Sequence, residues 1–278
     1  MKFTSLITIL ILSFAFCNAQ ELTSKFKYKI TYELTWQIDS TDAKSVQSES
    51  MLLFAGGGQS RFSSEGQHIG DSIQKAYKKL ERTPQTFSEM RSQMPKTKFK
   101  YYILKDLVSR EISYREKIVK DYYEYTEDLS NLDWKILPET KKIAGFTVQK
   151  AKTSYAGRHY TAWFTSEIPI SDGPYKFNGL PGLIVKMKDD KAYYVFELTG
   201  FNSLKDPVFD TQANEEYLET DRSRLLEIKE EYNADPFAAM EQTGMSFGFE
   251  PGQKEKMLRD HQEDLKKQNN PIELEKFE

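Results

Sequence analysis

The chain has 278 residues, 38% apolar, 29% charged and 13% aromatic, with a formal net charge of −3. That balance supports a folded core and excludes an intrinsically disordered chain, and no basic excess marks a nucleic-acid scaffold. The abundance of Tyr (16) and Phe (18) favours β-structure over a helical bundle.

The N-terminus reads as an export signal. Lys2 supplies the positive start, Leu6 to Phe16 form a short apolar stretch, and Cys17-Asn18-Ala19 offers a cleavage site before Gln20. That stretch is too brief to span a bilayer comfortably, and no later apolar run is long enough for a membrane helix. The rival processing is acylation of Cys17. A lipobox places Gly, Ala or Ser before the cysteine, and Phe16 stands there instead. Residues 1–19 are therefore expected to be removed, leaving a soluble protein in the periplasm or outside the cell. Cys17 is the only cysteine, so the exported chain has no disulfide, thiol nucleophile or cysteine-ligated metal.

Phe26 to Asp39 alternates without a fault, with Phe26, Tyr28, Ile30, Tyr32, Leu34, Trp36 and Ile38 on one side. A period of two puts these side chains on one face of a long strand, and one wet face implies an antiparallel sheet. Ser50 to Phe54 reads as the next strand, followed by a Gly56-Gly57-Gly58 turn that lacks the Lys-Ser/Thr of a P-loop. Ile73, Ala76, Tyr77 and Leu80 keep helical spacing, with Asp71 or Ser72 as cap and Pro84 beyond the end. Strands resume at Tyr101 to Leu104 and Arg110 to Ile118, and Tyr122, Tyr123 and Tyr125 read as packing residues rather than a binding strip.

Two hairpins follow. Phe146 to Ser154 and Arg158 to Phe164 flank Ala156-Gly157, while Leu183 to Met187 and Tyr193 to Leu198 flank Asp189-Asp190-Lys191. Prolines and glycines between Ile168 and Gly182 forbid regular structure, so that segment is an unusually apolar loop. After Asp206-Pro207 the chain turns charged and helical. Leu218, Asp221, Leu225, Ile228 and Tyr232 share a face, Asp235-Pro236 breaks the helix, and Pro251 to Asn269 makes another.

Motifs for chemistry are missing. There is no Gly-x-Ser-x-Gly elbow and no His-Glu-x-x-His helix, and His68, His159 and His261 lack ligand spacing. Ser154 and His159 share a hairpin, but their spacing predicts no contact. No catalytic, cofactor-binding or metal-ligating residue is assigned, and no cofactor is expected.

A resemblance is carried by Ile143-Ala-Gly145-Phe146, Gly157-Arg158-His-Tyr-Thr-Ala-Trp163, Glu167-Ile-Pro169-Ile170, Gly173-Pro174, Phe177 and Gly179-Leu180-Pro181-Gly182-Leu183-Ile184. In this order they resemble the GLPGLI family of exported Bacteroidota proteins, and the closing Asn270-Pro-Ile-Glu-Leu274 is similar to that family's C-terminus. The family has no established activity. Its genes often lie near those of TonB-dependent outer-membrane transporters, so the resemblance implies a role in the cell envelope.

Physical chemistry gives these residues structural work, as a plug packed against the sheet, and the alternative is that the loop presents a binding surface. Gly173 and Gly182 suit turns with positive φ, Trp163 and Phe177 are large enough to wedge the loop against the sheet, and Arg158 is placed to donate to the loop's carbonyls. The expected fold is α+β: a strongly bent antiparallel sheet, up to a half-open barrel, over 20–205, with one inserted helix and a helical tail over 206–278. The expected function is a non-enzymatic envelope accessory protein that binds an outer-membrane transporter or another envelope protein. The alternative is a periplasmic carrier of an apolar, lipid-like ligand in the concave face; neither nucleic acid nor a membrane span is expected. Protein purified from the envelope should begin at Gln20 and carry no lipid. Intact-mass measurement checks this, and a diacylglyceryl increment on Cys17 would overturn it.

Overall fold

The computed structural model describes residues 25–81, 83–129, 132–209 and 215–274. The predicted signal and its cleavage site lie outside the described residues. The N-terminal half runs β1 (Lys25–Gln37), β2 (Val46–Gly56), β3 (Gln59–Ser64), α1 (Glu65–Tyr77), α2 (Pro84–Gln93), β4 (Tyr101–Asp106), β5 (Glu111–Ile118) and β6 (Asp121–Asp128). It continues with β7 (Lys135–Ile143), β8 (Phe146–Tyr155), β9 (Arg158–Thr165), β10 (Leu183–Asp189), β11 (Tyr194–Phe209) and β12 (Leu218–Glu219). The chain closes with α3 (Arg222–Ala234), α4 (Pro236–Glu241) and α5 (Gln253–Lys266). Among the described residues the strands form one open 12-stranded sheet, ordered β12-β6-β5-β4-β3-β2-β1-β11-β10-β9-β8-β7. Among the described strands the β12–β6 pair alone is parallel.

Turn chemistry explains the register. Gly57-Gly58, Ala144-Gly145 and Ala156-Gly157 are two-residue hairpin loops with positive φ at both positions, from 47° at Ala156 to 87° at Gly145. Such turns match the twist of the strands they join. The sheet they build curls. β3 and β11 are separated by β2 and β1, yet the Phe62 and Phe196 rings approach to 6.2 Å between centroids. The inner face is one continuous core, running from Ile30, Tyr32 and Leu34 through Ile103 and Tyr114 to Ala162 and Met187.

Several expectations need correction. The β1 alternation holds from Ile30 to Trp36 but fails at Phe26, which packs with Leu52 and Phe54 in a second cluster. A register shift against β11 between Phe26 and Tyr28 turns it over. Nor is the outer face wet there, because α1 covers β2 and β3. Beneath it Arg61 lies fully buried among the rings of Phe26, Phe54 and Tyr102, and Tyr102 donates its hydroxyl to Asp71. His68 packs on Phe54, and burial, then the charges of Arg61 and Lys29, pull its pKa down to about 4.

The inserted helix is in fact two. α1 starts at Glu65, where the Ser64 hydroxyl accepts from Gln67 N at 2.9 Å, so Asp71 and Ser72 are interior. Pro84 opens α2, with Thr83 and Thr86 forming a reciprocal cap. Leu218 is also misread: it pairs in β12, and α3 begins after Asp221, whose carboxylate accepts from Arg224 N at 2.8 Å. The break at Asp235-Pro236 stands, with Asp235 capping α4. Gln262 on α5 donates to Asn233 O at 2.9 Å, which ties the tail helices together. β11 runs to Phe209, past the shift in composition at Asp206. No helix among the described residues is long and apolar enough to cross a membrane.

Gly182 is the backbone position where the fold has least freedom. Its φ is 140°, and a Cβ there would lie 2.0 Å from Thr165 O. Gly182→Ala should therefore combine strain and overpacking, each ~1–3 kcal/mol. Gly145→Ala, at φ 87° with nothing within 4 Å of its Cβ, should lose only the strain. Thermal melts of the two variants check this, and equal losses would refute it.

Candidate functional site

The loop of residues 166–182, between β9 and β10, lies inside the curl. Ile168, residues 172–178 and Leu180 are buried, whereas Pro169, Gly179 and Pro181 reach the surface. A buried irregular segment must find partners for its carbonyls. Lys105 on β4, itself 1% exposed, donates its ammonium to Gly173 O at 2.8 Å, Tyr175 O at 2.9 Å and, more weakly, Phe177 O at 3.4 Å. The same ammonium pairs with Asp172. Burial pushes Lys105 below the ordinary lysine range, and the Asp172 charge and hydrogen bond pull against that shift. Tyr32 on β1 donates to Ile184 O at 2.8 Å, and Trp134 to Asn178 O at 2.8 Å.

The signature residues take varied places around this loop. Phe177 is packed edge-on to Tyr155 and Tyr160, and Leu180, Leu183 and Ile184 enter the core. Pro174 is buried. Gly173 does not have positive φ; it is required because a Cβ would come within 2.6 Å of Ile184. Gly145 sits in the β7–β8 turn, outside the loop, and Thr147 just beyond that turn donates its N–H to Glu167 at the start of the loop at 2.7 Å. Trp163 does not wedge the loop, since it faces the outer side of β9 under Lys141, 3.9 Å from its ring centroid. Trp134 does that work.

Arg158 also has a different task from the one expected. It pairs with Asp189 at 2.9 Å and donates to Asn270 Oδ1 at 2.6 Å and Ile272 O at 3.1 Å, with Pro271 O as a further acceptor. These groups belong to the segment after α5. Asn270 is buried, donates to Gln37 O at 2.7 Å and offers its carbonyl to Tyr194. Leu274 N donates to Ala156 O at 2.9 Å. Residues 270–274 thus form a strap across the β8–β9 turn.

Glu273 anchors the strap to the inner face. Its carboxylate accepts from Tyr175 at 2.6 Å and Tyr155 at 3.0 Å, and pairs with Lys176 at 3.1 Å and with Arg222 of α3. Lys176 also pairs with Glu127 of β6 at 2.6 Å. Burial alone would raise Glu273, but Lys176, the Tyr175 hydroxyl and Arg222 outweigh it and hold the carboxyl below its usual range.

Between this anchor, α3 and β4–β6 opens a cleft of about 510 Å³. Tyr101, Tyr114, Tyr125 and Tyr175 form its floor, Tyr114 and Tyr125 stacked at 5.0 Å with an interplanar angle of 17°. Leu225 and Leu226 project from α3, and Lys98, Lys100, Glu116 and Lys229 lie around the opening. Of the Tyr122, Tyr123 and Tyr125 strip, Tyr125 alone is fully buried. The cleft can hold a chain that offers both apolar and charged groups. Among the described residues no group of three His, Cys, Asp or Glu side chains is placed to hold a metal ion.

One discounted contact does form. Ser154 and His159 are directly opposed across the β8–β9 hairpin, with Oγ 2.7 Å from Nδ1. Both are exposed at the surface, away from the cleft. Lys105, Lys176, Glu273 and Trp134 are residues that sequence reasoning missed. One had a readable signal: Lys105 stands in phase with Tyr101 and Ile103 on the apolar side of its strand.

A family profile described as "Protein of unknown function (Porph_ging)" matches residues 152–186, from β8 through the buried loop into β10. Among curated proteins no sequence matches this chain. Two crystal forms of PNGF-II are similar in structure, with TM-scores of 0.52 and 0.51 at 18% identity, over 73% and 74% of this chain. They match over 33% and 32% of their own length, so this chain spans about a third of that protein. At this identity the likeness is one of fold.

Acid should release the strap first. Glu273 has a depressed pKa, so its stabilisation is present above its ordinary 4.5 and lost as pH falls through the lower folded value. Protection from hydrogen exchange at Leu274, relative to the intrinsic rate at each pH, should be lost as pH falls below the ordinary 4.5 and through the lower folded value, while β1 and β11 stay protected. In Glu273→Gln, exchange there should already be fast at neutral pH and no longer depend on this titration. Unchanged protection in that variant would show that the carboxylate does not hold the strap.

Proposed function

We propose that this chain is a non-enzymatic binding protein of the cell envelope, and that the cleft beside α3 is where it takes a partner protein. One observation carries the reading. The inner face is filled by the chain's own loop, and its ionic groups are engaged in mutual pairs, while the tyrosine-floored cleft stays open. Groups locked in such pairs serve packing, whereas an open cleft with an aromatic floor and charged rim is the composition of a recognition surface. The predicted export signal and the GLPGLI resemblance direct the partner search to the envelope, TonB-dependent outer-membrane transporters first. In the same reading the curled sheet is a half-open barrel whose inner side is covered by α3 and the strap.

A second reading, a carrier of a lipid-like ligand, draws on the cleft volume of about 510 Å³, above the ~300 Å³ at which ligand pockets begin. The charges of Glu116, Arg222 and Glu273 in the wall count against it, because an apolar tail would strip their solvation.

Leu226, 38% exposed on α3, separates the two readings. Leu226→Asp should leave the melting temperature within about 0.5 kcal/mol of the parent in stability terms and lower capture of envelope proteins by about tenfold or more. Pull-down from envelope extract, with lipid extraction of the same sample, checks this. Undiminished capture would sink the cleft as the recognition site, and a stoichiometric extracted lipid would favour the carrier.

A further inference from the structure

The outer face of β7–β10 carries charge that the fold does not need. Ala151, Ala162 and Met187 point into the core, so their neighbours along each strand point out. Register then assembles two rows. Lys135, Lys152, Thr161 and Lys188 lie side by side across β7, β8, β9 and β10. Lys150, Trp163 and Lys186 form the second row, and Lys141 lies over the Trp163 ring at 3.9 Å. Neighbouring strands are only ~4.8 Å apart, so charges on adjacent strands lie well within the ~8 Å Debye length at physiological salt, and charges two strands away lie just beyond it.

Compensation is sparse. Glu139 pairs with Lys150 at 3.3 Å, and Glu197 pairs with Lys186. Lys135, Lys152 and Lys188 have no ion pair among the described residues, and Lys135 and Lys152 stand directly opposite each other. Like charges so placed are destabilising in a sheet. At Lys141, partial burial and then the charges of Lys186, Lys150 and Lys188 hold the ammonium below the ordinary lysine range. The whole chain has a net charge of −3, so this concentration is local and unfavourable to the isolated protein. Lysines on the β7 edge deter pairing with another sheet. That accounts for Lys135 and Lys141, but Lys152, Lys186 and Lys188 lie on interior strands.

We propose that this face is an electrostatic docking surface for an anionic lipid bilayer. Its charges are spread over adjacent strands in two dimensions rather than along a groove, which fits a surface better than a linear polyanion. Trp163 adds the residue type that suits a membrane–water interface, an apolar ring with a polar N–H. The ammonium heads of Lys141 and Lys150 lie over that ring, 3.9 Å and 5.9 Å from its centroid, so charge and aromatic surface are presented together. The surface is separate from the cleft beside α3 and does not depend on the function proposed for it.

Vesicle co-sedimentation tests the assignment, using the chain from Gln20 onward, which keeps every described residue and removes the apolar leader. Vesicles of phosphatidylcholine with 30–50% phosphatidylglycerol, as roughly typical strongly anionic mixtures, should bind it, and binding should weaken steeply between low and physiological salt. Pure phosphatidylcholine should not. Each lysine near an anionic surface is worth about fivefold in binding, so Lys135→Gln/Lys152→Gln/Lys188→Gln should bind about 100-fold more weakly. The same variant should melt at or above the parent temperature, because it removes like-charge repulsion. Anionic vesicles that fail to bind the parent at low salt would overturn the proposal. So would undiminished binding by the triple variant, equal binding to pure phosphatidylcholine, or capture by soluble heparin while anionic vesicles are ignored.

Discussion

One ammonium group ties distant parts of the sheet together. Lys105 leaves β4 and reaches the loop that follows β9, which in sheet order lies six strands away. Burying that charge is unfavourable by several kcal/mol unless it is both paired and hydrogen-bonded. Asp172 provides the pair, and the carbonyls of Gly173 and Tyr175 take the remaining protons, with Phe177 O as a longer contact. The exchange works in both directions. Three carbonyls that no strand satisfies acquire a donor, and a cation that no water reaches acquires ligands. A shorter or neutral side chain at this position cannot do both, so the loop's path and the lysine require each other.

The tail is joined to the body by the same logic. Arg158 and Glu273 are charges brought inside, and each is surrounded by complementary groups from elements far apart in sequence. Arg158 binds the strap from the sheet side, while Glu273 binds the sheet from the strap side. Because Arg222 of α3 shares the Glu273 carboxylate, the helix that walls the cleft is held through the strap. Ionic contacts at the base of the cleft, together with the packing of α3 on the sheet and the Lys229–Glu116 pair at 2.8 Å, set its geometry. α3 buries Leu225 in the core, yet Leu226 beside it stays at the surface.

Local features were legible in the sequence, and long-range partners were not. The alternation from Ile30 to Trp36 and the turns at Gly57-Gly58 and Ala156-Gly157 follow from backbone geometry acting over a few residues, and they appear where the pattern places them. The loop of residues 166–182 was recognisable from its prolines and glycines, and its apolar content marked it as a segment that packs. Arg158 shows where such reasoning stops. Its partners at Asn270 and Ile272 are separated from it by more than a third of the chain, and no spacing rule connects them. Two signals were available but unused. Lys105 occupies an inward position of an otherwise apolar alternation, which requires a buried partner. The two-residue turn at Ala156-Gly157 places Tyr155 opposite Arg158, and therefore Ser154 opposite His159.

That last inference extends to the whole sheet. A two-residue turn fixes not one pair but every pair along its hairpin, because the side-chain period is two. The turns that bring Ala151 against Ala162 on the inner face also put Lys152 beside Thr161 and Lys150 beside Trp163 on the outer face. Burial dictates the inner set, and any slip by one residue would send lysines into the core. The outer set is carried along by the same register but is not chosen by it, since Ser, Thr or Gln would keep the alternation equally well. Net charge, which averages over the molecule, conceals this. Register shows where the charge is collected, and the lysines on interior strands are the part that folding leaves unexplained.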